Sequence, residues 1–277
     1  MKLMMYNEHD AVYVGIVTDA GVIKTAVTTD AFYAEGGGIQ LLSSYADSGD
    51  VVPEDSLAIA PVVPNPGKIM CVGLNYRRHA AESGMAEPKL PVLFSKFNNT
   101  IASQGEDVPV SPEWNQVDYE SELVVVMGKK AKNVSEADAL DYVLGYCNAN
   151  DLSERELQFV SGQWLLGKTE DKFMPIGPYL VTTDDIPDPQ NLSIKGWLNG
   201  ELRQDSNTAD MIFTVVQVIA YATKYMTLNA GDIISTGTPE GVILGIPEDE
   251  RQWLKAGDEY TVEIEGLGRL SNTLVEA

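Results

Sequence analysis

Between Asp118 and Val126 the chain reads Asp-Tyr-Glu-Ser-Glu-Leu-Val-Val-Val. So dense a set of β-branched residues favours extended backbone. Strand side chains alternate, so Glu120 and Glu122 point to the same face. Two carboxylates beside an apolar run repel each other unless a cation lies between them, and hard divalent cations such as Mg²⁺ or Mn²⁺ take oxygen ligands of this kind. The bland alternative is a solvated edge strand with an acidic outer face. A third carboxylate, Asp151, ends the apolar run 142–149 and precedes a helix start. Three acids at strand and strand-end positions make an oxygen-rich metal site, although Asp151 also suits an Asx-type turn.

The rest of the 277-residue chain is punctuated for strands more than for helices. Residues 11–26 alternate and break at Asp19-Ala20-Gly21, a hairpin signal. A polar stretch through Gly36-Gly37-Gly38 and the prolines 53, 61, 64 and 66 set a boundary near residue 66. This predicts a small N-terminal β-containing domain over 1–65 and a larger one over 66–277. Lys68–Val72 reads as a strand, Tyr76–Ser83 as a short helix and Val117–Met127 as a β region. Ser135–Tyr142 starts like a capped helix, and Ser153-Glu154-Arg155-Glu156 fits a capping box. Asn199-Gly200 marks a tight hairpin, and the one long helix is expected over Ala209–Met226. Leu228-Asn-Ala-Gly-Asp232 and Leu254-Lys-Ala-Gly-Asp258 predict one turn chemistry used twice. The fold class is α+β, β-rich with peripheral helices, without the spacing of a doubly wound sheet.

Composition excludes some functions. With 41 Asp and Glu against 19 Lys and Arg, the formal charge is -22. Nucleic acid and anionic membrane surfaces call for a basic stripe, so neither is an expected partner. The opening apolar stretch is too short for a signal peptide, and 211–223, the longest uncharged apolar run, is too short to cross a bilayer. Cys71 and Cys147 sit in apolar runs and read as buried free thiols. A cytoplasmic setting is the resulting expectation.

There are two histidines. His9 lies in a polar N-terminal segment and reads as exposed. His79 lies three residues before Glu82, on one helical face, where a carboxylate can fix the imidazole tautomer and raise its basicity for activating water; an ordinary surface pair is the other reading. Gly162-Gln-Trp-Leu-Leu-Gly-Lys168-Thr169 satisfies the phosphate-loop pattern. That loop needs a strand before it and a helix after it, whereas a helix is expected before it and Pro175, Gly177 and Pro178 follow. Nucleotide binding therefore stands as an alternative from another class, and a non-catalytic metal scaffold as a third.

Gly73-Leu-Asn-Tyr76…His79…Glu82, Asp118-Tyr-Glu-Ser-Glu-Leu123, Asn150-Asp-Leu-Ser-Glu-Arg155, Lys168…Pro175-Ile-Gly-Pro178, Asn199-Gly-Glu201 and Gly231-Asp232…Thr236-Gly-Thr-Pro239 resemble, in order, the fumarylacetoacetate hydrolase superfamily. The resemblance runs from about residue 66 to the end. It implies a mixed β-roll or β-sandwich catalytic domain, usually homodimeric, with Mg²⁺ or Mn²⁺ as cofactor and a small anionic 2-oxo acid as substrate. Carried over by position, Glu120, Glu122 and Asp151 match the metal carboxylates, His79 and Glu82 the water-activating dyad, and Lys168 the lysine that stabilises an enolate. Arg155, Gln158 and Thr238 fall where members contact substrate. The implied reaction is hydrolytic cleavage of a carbon–carbon bond in an acylpyruvate-like β-diketo acid. Decarboxylation of oxaloacetate-like acids and isomerisation of 2-hydroxy-dienoates are the alternatives within the superfamily. Arg77, Arg78, Arg155, Lys168 and Lys172 are expected to line the pocket and make its field positive despite the net charge.

Overall fold

The computed structural model describes residues 1–34, 37–45 and 50–277, so Gly36 of the predicted boundary stretch lies outside the described residues. The elements that position the site are β1 (Lys2–Glu8), β2 (Ala11–Thr18), β3 (Gly21–Thr28), β4 (Ile69–Gly73), α1 (Arg77–Glu82), β5 (Val92–Lys96), β6 (Ser121–Met127), β7 (Val143–Asn150), α2 (Arg155–Phe159), β8 (Met174–Thr182), β9 (Ser193–Leu198), β10 (Glu201–Asn207), α3 (Val215–Tyr225), β11 (Ile233–Ser235), β12 (Glu259–Ile264) and β13 (Gly268–Glu276). Among the described residues, a twelve-stranded mixed sheet carries β3-β2-β1-β8-β7-β6-β11-β4-β5 along its path. A five-stranded sheet runs β10-β9-β12-β13 and ends on Val108–Val110. The β-rich α+β class expected from sequence is the one observed.

The Val-rich run forms an inner strand. β6 is buried along its whole length between β7 and β11. Leu123, Val125 and Met127 enter one apolar cluster, and Val124 and Val126 enter the other. Each such side chain contributes roughly 1.5–3 kcal/mol on burial, so slipping the register by one residue would drive Glu122 into the core. The solvated-edge alternative for Glu120 and Glu122 is thereby excluded: they are 6% and 2% exposed.

Hydrogen bonding continues across the expected boundary at residue 66. β1 pairs antiparallel with β8, Leu3 opposite Leu180, so the first three strands extend the sheet that holds β6.

Turn chemistry follows the sequence closely. Asn199 and Gly200 adopt φ of 51° and 82°, the left-handed pair a two-residue hairpin requires. In both Asn-Ala-Gly-Asp and Lys-Ala-Gly-Asp turns, the Asp carboxylate accepts the amide three residues back, Asn229 at 2.8 Å and Lys255 at 2.9 Å. His9 is exposed in the turn after β1, and both cysteines are buried and free.

Helices are shorter than the sequence suggests. The helix expected from Ser135 is a series of tight turns ending in a 3₁₀ turn, Ala139–Tyr142. Ser135 Oγ bonds Asp138 rather than a backbone amide, and the apolar run beyond it is drawn into β7. The long helix starts at Val215 instead of Ala209, behind a capping box of Thr214 and Gln217. Asn75 stops it extending upstream by bonding the backbone of Ile212 and Phe213. α2 is capped by Glu154, whose carboxylate accepts the Leu157 amide at 2.7 Å, not by Ser153.

Candidate active site

The ladder between β6 and β7 builds the acidic cluster. Ser121 sits opposite Asn150, so Asp151 leaves β7 beside Glu120, and its amide donates to the Glu120 carbonyl at 2.9 Å. Glu120, Glu122 and Asp151 each bring a carboxylate oxygen within 4.8 Å of the others, and all three are buried. Lys168 Nζ donates to Glu120 at 2.6 Å and to Asp151 at 2.8 Å. Lys96, at the end of β5 with its side chain fully buried, donates to Asp151 at 2.5 Å and to the Leu152 carbonyl at 3.0 Å. Arg155 donates to Asp118, Glu120 and Gln158 through its three nitrogens, at 2.7–2.9 Å.

This distribution separates the acids electrostatically. Burial alone would raise the Glu120 carboxyl, but Lys168 and Arg155 outweigh it and hold the group below the usual carboxylate range. Burial also works against the charge of Lys168, and Asp151 and Glu120 reverse that and raise it. Glu122 receives only neutral donors, the Ser235 hydroxyl and the Gly237 amide. Burial, reinforced by Asp151 and Glu120, pushes its carboxyl well above the ordinary range. The donor set therefore fits a hard divalent cation: three converging carboxylate oxygens, one of them without a cationic partner among the described residues.

His79 and Glu82 lie on α1. The imidazole Nδ1 is 2.9 Å from Glu82 Oε1, and the Gly241 amide donates to the same carboxylate at 3.0 Å. Gly245 gives the carboxylate room, since a Cβ there would lie 2.5 Å from the Glu82 carboxyl carbon. Asp118 ties this loop down by accepting the Ile243 and Leu244 amides at 2.8 and 3.0 Å.

One cavity of about 510 Å³ is lined by His79, Glu82, Glu120, Glu122, Arg155, Gln158, Lys168 and Thr238. Asp151, with no exposure, stands behind the lining. The nine residues assigned from sequence to catalysis, metal or substrate are thus at or against one cavity. Thr238 Oγ1 accepts Gln204 Nε2 at 3.0 Å, and Gln158 accepts Arg155, so both are held in place. Apolar walls come from Leu74, Met85, Phe94, Phe159, Trp164 and Ile246.

Sequence reasoning overlooked Lys96, Asp118 as a loop anchor, and Arg251, which also lines the cavity. It also placed three cations wrongly. Arg77 donates to the Asp210 and Met211 carbonyls, Arg78 pairs with Glu240, and Lys172 pairs with Glu106; none of them lines the cavity. The phosphate-loop match has neither of the elements it needs. α2 precedes it, a 3₁₀ turn at Leu165–Lys168 holds its lysine, and β8 follows. Gly167 packs against α2, where a Cβ would lie 2.4 Å from the Gln158 nitrogen, and Lys168 faces the acids.

Residues 68–275 match the family described as fumarylacetoacetate (FAA) hydrolase C-terminal. The chain belongs to the fumarylacetoacetate hydrolase superfamily. The fumarylacetoacetate hydrolase domain-containing protein 2 homolog of Dictyostelium discoideum is 50% identical over 225 residues, covering 78% of this chain and 73% of that protein. The mitochondrial oxaloacetate tautomerase fahd2 of Xenopus laevis is 43% identical over 240 residues, 86% of this chain and 75% of that one. A solved fumarylacetoacetate hydrolase from psychrophilic Exiguobacterium antarcticum superposes over all of both chains with a TM-score of 0.81 at 30% identity. The superfamily thus includes hydrolases and tautomerases. Among the described residues, no helix is long and apolar enough to cross a membrane.

Proposed function

We propose that the cavity binds a small anionic 2-oxo acid together with Mg²⁺ or Mn²⁺ held by Glu120, Glu122 and Asp151, and that the chain carries out enolate chemistry on it. The observation that carries this reading is the placing of the three converging carboxylates and the His79–Glu82 pair on one cavity. When bound, the cation supplies Lewis-acid polarisation and positive charge for a developing oxyanion. Glu82 holds the imidazole through Nδ1, which leaves Nε2 to take a proton. Lys168, charged between Glu120 and Asp151, adds a fixed positive charge toward the enolate oxygen. Arg155 braces Glu120 and Gln158, and Gln158 and Thr238 offer polar groups to the substrate.

For an acylpyruvate-like substrate, His79 removes a proton from water and the hydroxide adds to the distal carbonyl. The carbon–carbon bond then breaks to give a carboxylic acid and a pyruvate enolate, which is protonated to pyruvate. A second reading, keto–enol interconversion of oxaloacetate, needs only a proton moved between C3 and the C2 oxygen, with no water added and no carbon–carbon bond broken, and is favoured by the name of the Xenopus laevis relative. Assay of acylpyruvates, oxaloacetate and 2-hydroxy-dienoates with Mg²⁺ and Mn²⁺ separates the two readings. Turnover that survives exhaustive chelation, or that Glu120→Gln leaves intact, contradicts both. The proposal includes a homodimer in a cytoplasmic setting, and light scattering at twice the chain mass tests the assembly.

A further inference from the structure

Three cations line the cavity, and two of them are paired with the protein's own carboxylates. Lys168 donates to Glu120 and Asp151, and Arg155 to Asp118, Glu120 and Gln158. The third is Arg251, half-buried on the segment that follows the 3₁₀ turn Glu248–Glu250. Its Nε donates to the Ile246 carbonyl at 2.8 Å, and its guanidinium lies 5.8 Å from the centre of the Trp253 ring. Neither Nη has a bond among the described residues, and no carboxylate there pairs with it, although Glu248, Asp249 and Glu250 immediately precede it and are exposed. The segment is anchored just beyond, where the Leu254 amide donates to the Val117 carbonyl at 2.9 Å.

A guanidinium fixed through Nε and held against an aromatic ring presents its two Nη groups as a ready fork for a carboxylate. Beyond Lys168 and Arg155, each already paired with acids, a second anionic group on a ligand would find no other lysine or arginine among the described lining residues. We infer that Arg251 is a specificity-determining residue that binds a second, distal carboxylate, so that the site prefers dicarboxylic 2-oxo acids over those with a neutral tail. This rests on the 2-oxo acid reading and adds to it the class of the far end of the substrate. It also bears on the choice between reactions, since oxaloacetate carries a distal carboxylate and a simple acylpyruvate does not.

The test compares kcat/KM for oxaloacetate and its 4-methyl ester, with Mn²⁺, in the wild type, Arg251→Gln and Arg251→Lys. The diacid-to-ester ratio is expected to fall roughly 10- to 100-fold in Arg251→Gln, the size of one charged hydrogen-bonded contact, and less in Arg251→Lys. The loss should lie mainly in KM for the diacid, while inhibition by oxalate, which has no distal group, changes by less than about twofold. Because the readout is a ratio, general damage to the fold cancels from it, and the lysine variant serves if the glutamine variant does not fold. An unchanged ratio in both variants, or equal loss on diacid and ester, overturns the assignment of Arg251 and leaves the 2-oxo acid reading standing. A wild type that turns over neither compound overturns the inference, and one that also leaves acylpyruvates and 2-hydroxy-dienoates unchanged overturns that reading with it.

Discussion

The His79 imidazole takes its orientation from Glu82, and Glu82 from the Gly241 amide. Replacing His79 by Asn is expected to lower kcat about a hundredfold or more, the usual contribution of a positioned base, with Mn²⁺ affinity unchanged; titration calorimetry and steady-state kinetics on one preparation check both. Lys96 acts on stability instead. It is a fully buried cation on Asp151 and the Leu152 carbonyl, so Lys96→Met leaves an acid short of charge in a dry site. Loss of about 3 kcal/mol in urea unfolding is predicted, and a loss below about 1 kcal/mol would contradict it. The carboxylate trio was legible because strand alternation fixes where Glu120 and Glu122 point. Lys96 was not, because a lysine at the end of Val-Leu-Phe-Ser-Lys reads as a solvent-facing strand end until its partner 55 residues away is known. Arg251 was hidden by the acids beside it.

Strands were more readable than helices. β6, α1 and the Asn199-Gly200 hairpin follow from local pattern alone, since alternation and left-handed turn residues act within a few positions. The start of α3 and the turns after Ser135 were set by distant groups, Asn75 and the partners of β7, which local propensity does not contain. The loop from Gly241 to Arg251 shows what that tertiary placement does for the site. Asp118 holds its amides, and Gly245 lets it close on Glu82. Gly245→Ala puts a methyl group into the Glu82 carboxyl and is expected to reduce kcat at least about tenfold, while Tm falls by only a few degrees. A large Tm loss with kcat retained in the folded fraction would show that the glycine serves packing instead.

Across the whole molecule, the sheet joins residues on either side of the expected boundary, and the family match begins at residue 68. The net charge of -22 is a property of the surface, while the cavity mixes acids and cations according to their individual partners. Part of the stability titrates. Burial opposes the charge of Glu106, but the Ser103 amide and Lys172 outweigh it and hold its carboxyl below the usual range. A depressed acid stabilises the fold above its unfolded value, near 4.3, and that contribution disappears as pH falls through the lower, folded value. Tm is therefore predicted to drop on the acid side, and less steeply in Glu106→Gln. Mn²⁺ at a hundred times its Kd should stabilise the fold by roughly 2.7 kcal/mol, a Tm rise of about 5 °C or more, and the rise should vanish on chelation.

The most direct test is deuterium uptake in D₂O at C3 of oxaloacetate and into the methyl group of pyruvate released from acetylpyruvate, followed by quenched ¹H NMR with Mg²⁺. Uptake is predicted to exceed the rate with Mg²⁺ alone, to return to that rate on chelation, and to fall about a hundredfold in Glu82→Gln. Uptake no faster with the wild-type protein than with Mg²⁺ alone, for either compound, would contradict enolate chemistry at this site.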